Sequence, residues 1–222
     1  MKRCFIFAAG TFYGLREAPH AGDVTIAADA GLHNCRSAGI EPELVIGDFD
    51  SMAQPPRGGC VVAPVEKDDT DTMLAVREGL ARGCGEFYIY GGTGGVRLDH
   101  TLANLQTLAF LRRHGARGYL YDRDFVYTVL ENETLTLRRQ VEWGLVSLFA
   151  MSGTQQDVTL EGLQYPLAHA DVAGDFPIGV SNHFIADTAR ITCGSGLLLV
   201  GWQLPPLTET PADRSQAAPP AR

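Results

Sequence analysis

Six short runs in the first 123 residues carry apolar side chains with almost no alternation: 4–9 "CFIFAA", 24–28 "VTIAA", 43–46 "ELVI", 60–65 "CVVAPV", 87–92 "FYIYGG" and 118–122 "GYLYD". A strand with one wet face alternates apolar and polar residues. A strand apolar throughout is buried on both faces, which is the situation of a parallel sheet sandwiched between helices. Helical patterns stand between several of these runs. Residues 30–38 read as a helix closed by Gly39. Residues 71–82 place Met73, Val76 and Leu80 on one face and stop at Gly83. Residues 99–114 hold Leu102, Leu105 and Ala109 in register, with basic residues in the last turn and Gly115 as the stop. These elements imply an open, mostly parallel, doubly wound or flavodoxin-like α/β sheet.

The rhythm changes after Arg123. "FVYTVLE", "ETLTLR", "LVSLFAM", "DVTLEGL", "ARITCG" and "GLLLVGW" are short runs split by Gly and Asn, with no helical period. They read as an all-β sandwich or small barrel. The expected organisation is therefore an α/β domain over residues 1–123, a β-sandwich over 124–204, and a disordered Pro/Ala-rich tail over 205–222.

Composition narrows the function classes. A net charge of −8 and the lack of any Lys/Arg cluster argue against nucleic-acid binding, because nothing would displace phosphate counterions. The five cysteines form no C-x-x-C pair and read as reduced, buried thiols, which points to a cytoplasmic protein. No stretch is long enough to span a membrane.

In an open α/β sheet, ligands bind beyond the C-terminal ends of the strands. Four polar segments leave strands at that edge: Asp29 after "VTIAA", Asp48 and Asp50 after "ELVI", "KDDTD" (67–71) after "CVVAPV", and "GGTGGVRLDH" (91–100) after "FYIY". Asp48 and Asp50, two apart in an extended segment, point the same way, and paired carboxylates tolerate each other best around a hard cation such as Mg2+. Taken singly, the pair could also be a solvated turn. Asp71 could equally be a dipole-favoured acid at a helix start, with Thr70 as the N-cap. The glycines Gly94 and Gly95 offer backbone amides that can approach phosphate, followed by Arg97, Asp99 and His100 at a helix start. Arg97 could pair with phosphate or with Asp99, and Asp99 and His100 could be helix-start contacts only. The loop is neither a Walker loop nor a dinucleotide fingerprint.

Together "AADAG" (27–31), "ELVIGDFDS" (43–51), "KDDTD", "GGTGGVRLDHTLANLQTL" (91–108), "GLQYPL" (162–167) and "SNHF" (181–184) resemble the thiamine pyrophosphokinase family. The resemblance implies an α/β domain joined to a β-sandwich, and a homodimer with active sites between subunits. The implied reaction transfers the pyrophosphoryl group of ATP to thiamine, giving thiamine diphosphate and AMP. It further implies that Asp48, Asp50 and Asp71 hold Mg2+, and that these acids and Arg97 serve the reacting phosphates. Asp29, Lys67, Thr70, Gly94, Gly95, Asp99 and His100 would line the nucleotide side, and Ser181, Asn182 and Tyr165 would meet thiamine. The chain departs from the family pattern at Ala30 and His33, which replace a Gly and an Asn, at Tyr165, which replaces a Trp, and at Lys67, where some members carry Gln. A Mg2+-dependent phosphohydrolase and a non-catalytic thiamine- or nucleotide-binding module are the alternative readings of the same residues.

Overall fold

The computed structural model describes residues 1–47, the backbone of 60–62, and residues 69–207. The N-terminal half runs β1 (Arg3–Phe7), β2 (Val24–Ala28), α1 (Gly31–Ser37), β3 (Leu44–Gly47), β4 (Cys60–Val62), α2 (Asp71–Ala81), β5 (Glu86–Tyr90), α3 (Leu98–Arg113) and β6 (Arg117–Tyr121). These six strands are parallel, in the order β6-β5-β1-β2-β3-β4.

Burial on both faces explains the unbroken apolar runs. In β1, Cys4 and Ile6 face a core shared with α2 and α3, through Ala75, Val76, Leu108 and Leu111. Phe5 and Phe7 face the opposite side, against Leu32 and Cys35 of α1 and Tyr90 of β5. Helices thus cover both faces, as the sequence led us to expect. The exposed ends of α2 and α3 follow the expected stops. One detail differs. Leu105 and Ala109 of α3 pack against the core, but Leu102 is 54% exposed, and the fully buried positions are Leu108 and Leu111. Asn104 and Thr107 share that buried face, so the helix turns a polar-containing stripe inward and leaves Leu102 on an outer cavity. Between β1 and β2 the chain crosses over residues 8–23 without a helix.

The C-terminal half contributes β7 (Phe125–Leu130), β8 (Glu133–Arg138), β9 (Leu145–Ala150), β10 (Thr154–Glu161), β11 (Leu167–Ala173), β12 (Asn182–His183), β13 (Thr188–Cys193) and β14 (Leu198–Gln203). β8, β10, β11 and β13 make an antiparallel sheet of their own, ordered β11-β10-β13-β8. β7, β14, β9 and β12 instead extend the large sheet, because β7 pairs antiparallel with β6 through Leu120–Tyr127 and Tyr121–Val126. The two sheets close on one apolar core. Leu130, Val146, Leu148, Leu198 and Val200 from one meet Leu137, Val158, Leu160 and Ile191 from the other. At roughly 1.5–3 kcal/mol per buried side chain, that core is the main attraction between the sheets.

α1 can dock as it does because residue 31 has no side chain. A Cβ there would lie 1.9 Å from the carbonyl oxygen of Phe7. Gly31→Ala should therefore destabilise the fold by about 3 kcal/mol, read as a lower midpoint in denaturant titration. An unchanged midpoint would mean that α1 sits elsewhere.

Candidate active site

The sheet reverses its winding at β1. Strands β2 to β4 add on one side of it, while β5 and β6 add on the other. A crevice at the carboxyl ends of β1 and β5 follows from that topology. The exits of the two strands stay zipped beyond the sheet. Ala8 N donates to Tyr90 O at 2.8 Å, Gly10 N to Gly91 O at 2.7 Å, and Thr11 N to Thr93 O at 3.0 Å. Gly91 has φ +65°, and a Cβ on it would lie 2.3 Å from Ala8 O, so only glycine permits this approach.

A cleft of about 270 Å3 opens here. One wall is the β1 exit, Ala8–Ala9–Gly10, and another is Gly91, Gly92 and Gly94 after β5. Asp29, after β2, and Thr70 and Asp71, at the start of α2, complete it, with His100 and Asn104 of α3 on the remaining side. Thr70 is the N-cap of α2: its Oγ1 accepts a hydrogen bond from Met73 N at 3.2 Å. The open amides and partial positive charge of that helix start face the cleft, a setting that favours phosphate oxygens. Asp29 takes a left-handed conformation, φ +47°, and its N–H donates to Ile46 O at 2.7 Å. That contact fixes it against the end of β3, where the Gly47 backbone leaves no room for a Cβ without meeting Asp29 at 3.1 Å.

Of the sequence-derived candidates, Asp29, Thr70, Asp71, Gly94 and His100 thus line one cleft. Gly95 lines a larger, mostly apolar cavity of about 870 Å3 that also includes Gly94, Leu102, Tyr127 and Phe149. The two cavities meet at Gly94. The smaller one is the better candidate for phosphate chemistry, because it brings two carboxylates, Asp29 and Asp71, to the capped start of α2 and the glycine backbone, whereas the larger is mostly apolar. Arg97 and Asp99 are exposed and paired with each other, with Arg97 Nε donating to Asp99 Oδ1 at 3.1 Å. The pairing raises the arginine pKa and lowers that of the aspartate. Neither residue is among those lining the cleft. Asp48, Asp50 and Lys67 lie outside the described residues. Among the described residues no group of three or more His, Cys, Asp or Glu side chains forms a metal cluster. The described cleft does supply hard oxygen donors from Asp29, Asp71 and Thr70, which suit Mg2+ in chemical type.

Ser181, Asn182 and Tyr165 come together, but in the C-terminal half. Asn182 is buried. Its Oδ1 accepts from Tyr165 N at 3.0 Å and its Nδ2 donates to Tyr165 O at 2.7 Å. Ser181 sits beside it with φ +60°, its N–H donating to Ser147 Oγ at 3.1 Å. The Tyr165 ring is 65% exposed. In the sheet, β6, β7, β14 and β9 separate β5 from β12, which carries Asn182. At ~4.8 Å per strand that is about 24 Å.

Two residues that hold the loops of the cleft escaped the sequence reading. Asn34 of α1 donates through Nδ2 to Ala8 O at 2.7 Å and Gly10 O at 2.9 Å. Asn104 of α3, which is buried and lines the cleft, donates to Gly92 O at 2.8 Å. Each amide ties one cleft-lining loop to a helix, one from either face of the sheet. An asparagine inside a helix gives no sequence signal for this, although Asn104 stands within the quoted glycine-loop motif. Next to Asn34, His33 is exposed.

Comparison with known proteins agrees with this arrangement. A profile described as thiamin pyrophosphokinase, catalytic domain, matches residues 16–120, and one described as thiamin pyrophosphokinase, vitamin B1 binding domain, matches residues 132–198. The thiamine pyrophosphokinase of Bacillus subtilis (strain 168) is 27% identical over 182 residues, covering 79% of this chain and 85% of that protein. A crystal structure of thiamin pyrophosphokinase from Geobacillus thermodenitrificans superposes with a TM-score of 0.77 at 26% identity, over 91% of this chain and 98% of that one. The yeast thiamin pyrophosphokinase structure shares the fold, with a TM-score of 0.70 at 11% identity over 91% of this chain and 86% of that one.

Asn104→Ala should leave the fold intact while removing the tether on Gly92. Leaving the buried Gly92 carbonyl without this partner should cost about 1–3 kcal/mol, and misplaced amides should lower kcat/KM about 10-fold. Steady-state kinetics beside a thermal melt checks this; unchanged kinetics would show that Gly92 needs no tether.

Proposed function

The chain belongs to the thiamin pyrophosphokinase family and carries thiamine pyrophosphokinase activity, and from that premise we propose that the transfer takes place in the cleft at the exits of β1 and β5. The observation that carries this reading is the convergence of Asp29, Asp71, the α2 start and the glycine loop on one small cavity. The ATP phosphates lie along the Gly10 and Gly91–Gly94 backbone, where glycine leaves the amides unobstructed. Asp71 would hold Mg2+ together with Asp48 and Asp50, with Asp29 and Thr70 beside them. The ion, when bound, neutralises charge on the polyphosphate. Lys67 and Arg97 would add cationic contacts, Arg97 by exchanging Asp99 for a phosphate oxygen. Gly95, Asp99 and His100 border the nucleotide.

Thiamine's hydroxyl oxygen attacks the β-phosphorus in line, a carboxylate oxygen of the cleft accepts its proton, and AMP departs. Such a reaction needs mainly positioning and charge stabilisation from the protein. Ser181, Asn182 and Tyr165 meet the thiamine rings. Tyr165 offers an exposed face for stacking, with less area than a tryptophan. The strand spacing between β5 and β12 leaves these residues too far from their own chain's cleft for one small substrate to touch both. We therefore assign them to the cleft of a second copy, in a homodimer whose catalytic unit is the α/β part, 1–123, and whose thiamine-binding and pairing unit is the sandwich, 124–204. No described helix is long and apolar enough to cross a membrane, and we place the reaction in the cytoplasm.

AMP release from ATP should require both thiamine and Mg2+, and should stop with a chelator and resume when Mg2+ is restored. ATP turnover that ignores thiamine would favour a phosphohydrolase instead. Asp71→Asn should keep its far-ultraviolet circular dichroism and lose about 100-fold in kcat; wild-type kcat would remove Asp71 from the site.

A further inference from the structure

At the opposite end of the sheet from the cleft, two thiols meet. Cys4 is the second residue of β1, and Cys84 lies in the turn between α2 and β5. Both are buried, at 0% and 4% exposure. Cys84 is held in place by its N–H donating to Gly79 O at 3.0 Å and by its Sγ donating to Arg3 O at 3.7 Å. Cys4 Sγ packs against the same Gly79, 3.0 Å from where a Cβ would stand, while Cys84 Sγ rests on the carbonyl of the Arg3–Cys4 peptide, so both thiols border the start of β1 in one core. Gly79 is therefore the open space in α2 that admits the Cys4 sulfur.

The two thiols are not equivalent. Interaction with Cys4, helped by the charges of Lys2 and Arg82 and opposed by burial and Asp23, holds the Cys84 thiol below the ordinary thiol range. The same interaction, with burial, raises Cys4 well above an ordinary thiol. Lys2 Nζ donates to Arg82 O at 3.3 Å, so one of those cations is tied to the turn itself. Cys84 is also the thiol nearer solvent. Its neighbour Gly85 packs under Met1, a residue 88% exposed, so the turn lies directly beneath the surface. By contrast, burial pushes Cys35 of α1 up to about 12, and Cys193 lies in the apolar core between the two sheets.

We propose that Cys4 and Cys84 form a dithiol modification site that a low-molecular-weight disulfide oxidises, with Cys84 as the attacking thiol and Cys4 as the resolving one. The Cys84 thiolate attacks one sulfur of the small disulfide, breaks its S–S bond and releases one thiolate. Cys4 then loses its proton to solvent and attacks the Cys84 sulfur, expelling the second small thiol. The result is one protein disulfide, and the small disulfide is reduced to two thiols. The bond would fasten the start of β1 to the α2–β5 turn, at the strand ends remote from the cleft.

The full chain, folded and reduced, is incubated with oxidised glutathione, then alkylated and mapped without reduction by mass spectrometry. The Cys4 peptide should be joined to the Cys84 peptide as the main product, while Cys35 and Cys193 become alkylatable only after denaturation. Cys4→Ser should stop at a glutathione adduct on Cys84, and Cys84→Ser should leave Cys4 unmodified. Circular dichroism establishes that each variant is folded before it is scored. A folded wild-type protein whose Cys84 stays free, or in which Cys35 or Cys193 takes glutathione as fast as Cys84, would overturn the proposal.

Discussion

The continuation of β1–β5 pairing beyond the strand ends is the constraint on which the rest of the site depends. Three backbone hydrogen bonds, at Ala8, Gly10 and Thr11, keep the two exit loops side by side after the sheet proper has ended. Without them the β1 exit and the glycine loop would be two separate surface loops. With them they become one rim, closed by α1 through Asn34 and by α3 through Asn104. Backbone groups supply most of that rim, so its chemistry is that of oriented amides rather than of side chains. That is why glycine recurs there: each Cβ removed lets carbonyls and amides approach within hydrogen-bonding distance.

Acidic groups enter this rim from neighbouring strands. Asp29 and Asp71 reach it from the end of β2 and the start of α2, and β2 is held in the same sheet by its pairing with β1. A site built this way places charge on rigid elements and the flexible, close-approaching part on the loops between them. The C-terminal half plays a different part. Its Asn182–Tyr165 clamp holds an exposed aromatic ring rather than a polar cavity. Two chemically different surfaces, one of backbone amides and carboxylates and one an exposed aromatic ring, fit the proposal that one takes the polyphosphate and the other the thiamine ring.

Much of this was legible in the sequence for identifiable reasons. Strands buried on both faces announce themselves as unbroken apolar runs, and β1, β2 and β5 do so. Thr70 could be read as an N-cap because a hydroxyl before a helical period has one common use. What stayed hidden has equally physical causes. The β1 exit, Ala8–Gly10, carries no functional side chain, so no residue type marks it. Asn34 and Asn104 look like helix-surface polar residues until their partners are known. The joining of β7 to β6 and β14 into the large sheet rests on antiparallel pairing between residues as far apart as Phe125 and Gln203, and local composition does not reveal partners at that range. Leu102 fits the core period yet faces a cavity, because α3 turns Leu105, Leu108 and Leu111 to the core instead.

The most direct test of the account is a crystal structure of the protein with thiamine, Mg2+ and an ATP analogue whose α–β bridge cannot be cleaved. The β- and γ-phosphates should lie between the Gly10 and Gly91–Gly94 backbone and the Asp71 carboxylate, with Tyr165 of a second copy against the thiamine ring. Phosphates found instead in the larger cavity beside Leu102 and Tyr127, with the β1–β5 cleft holding only water, would contradict it.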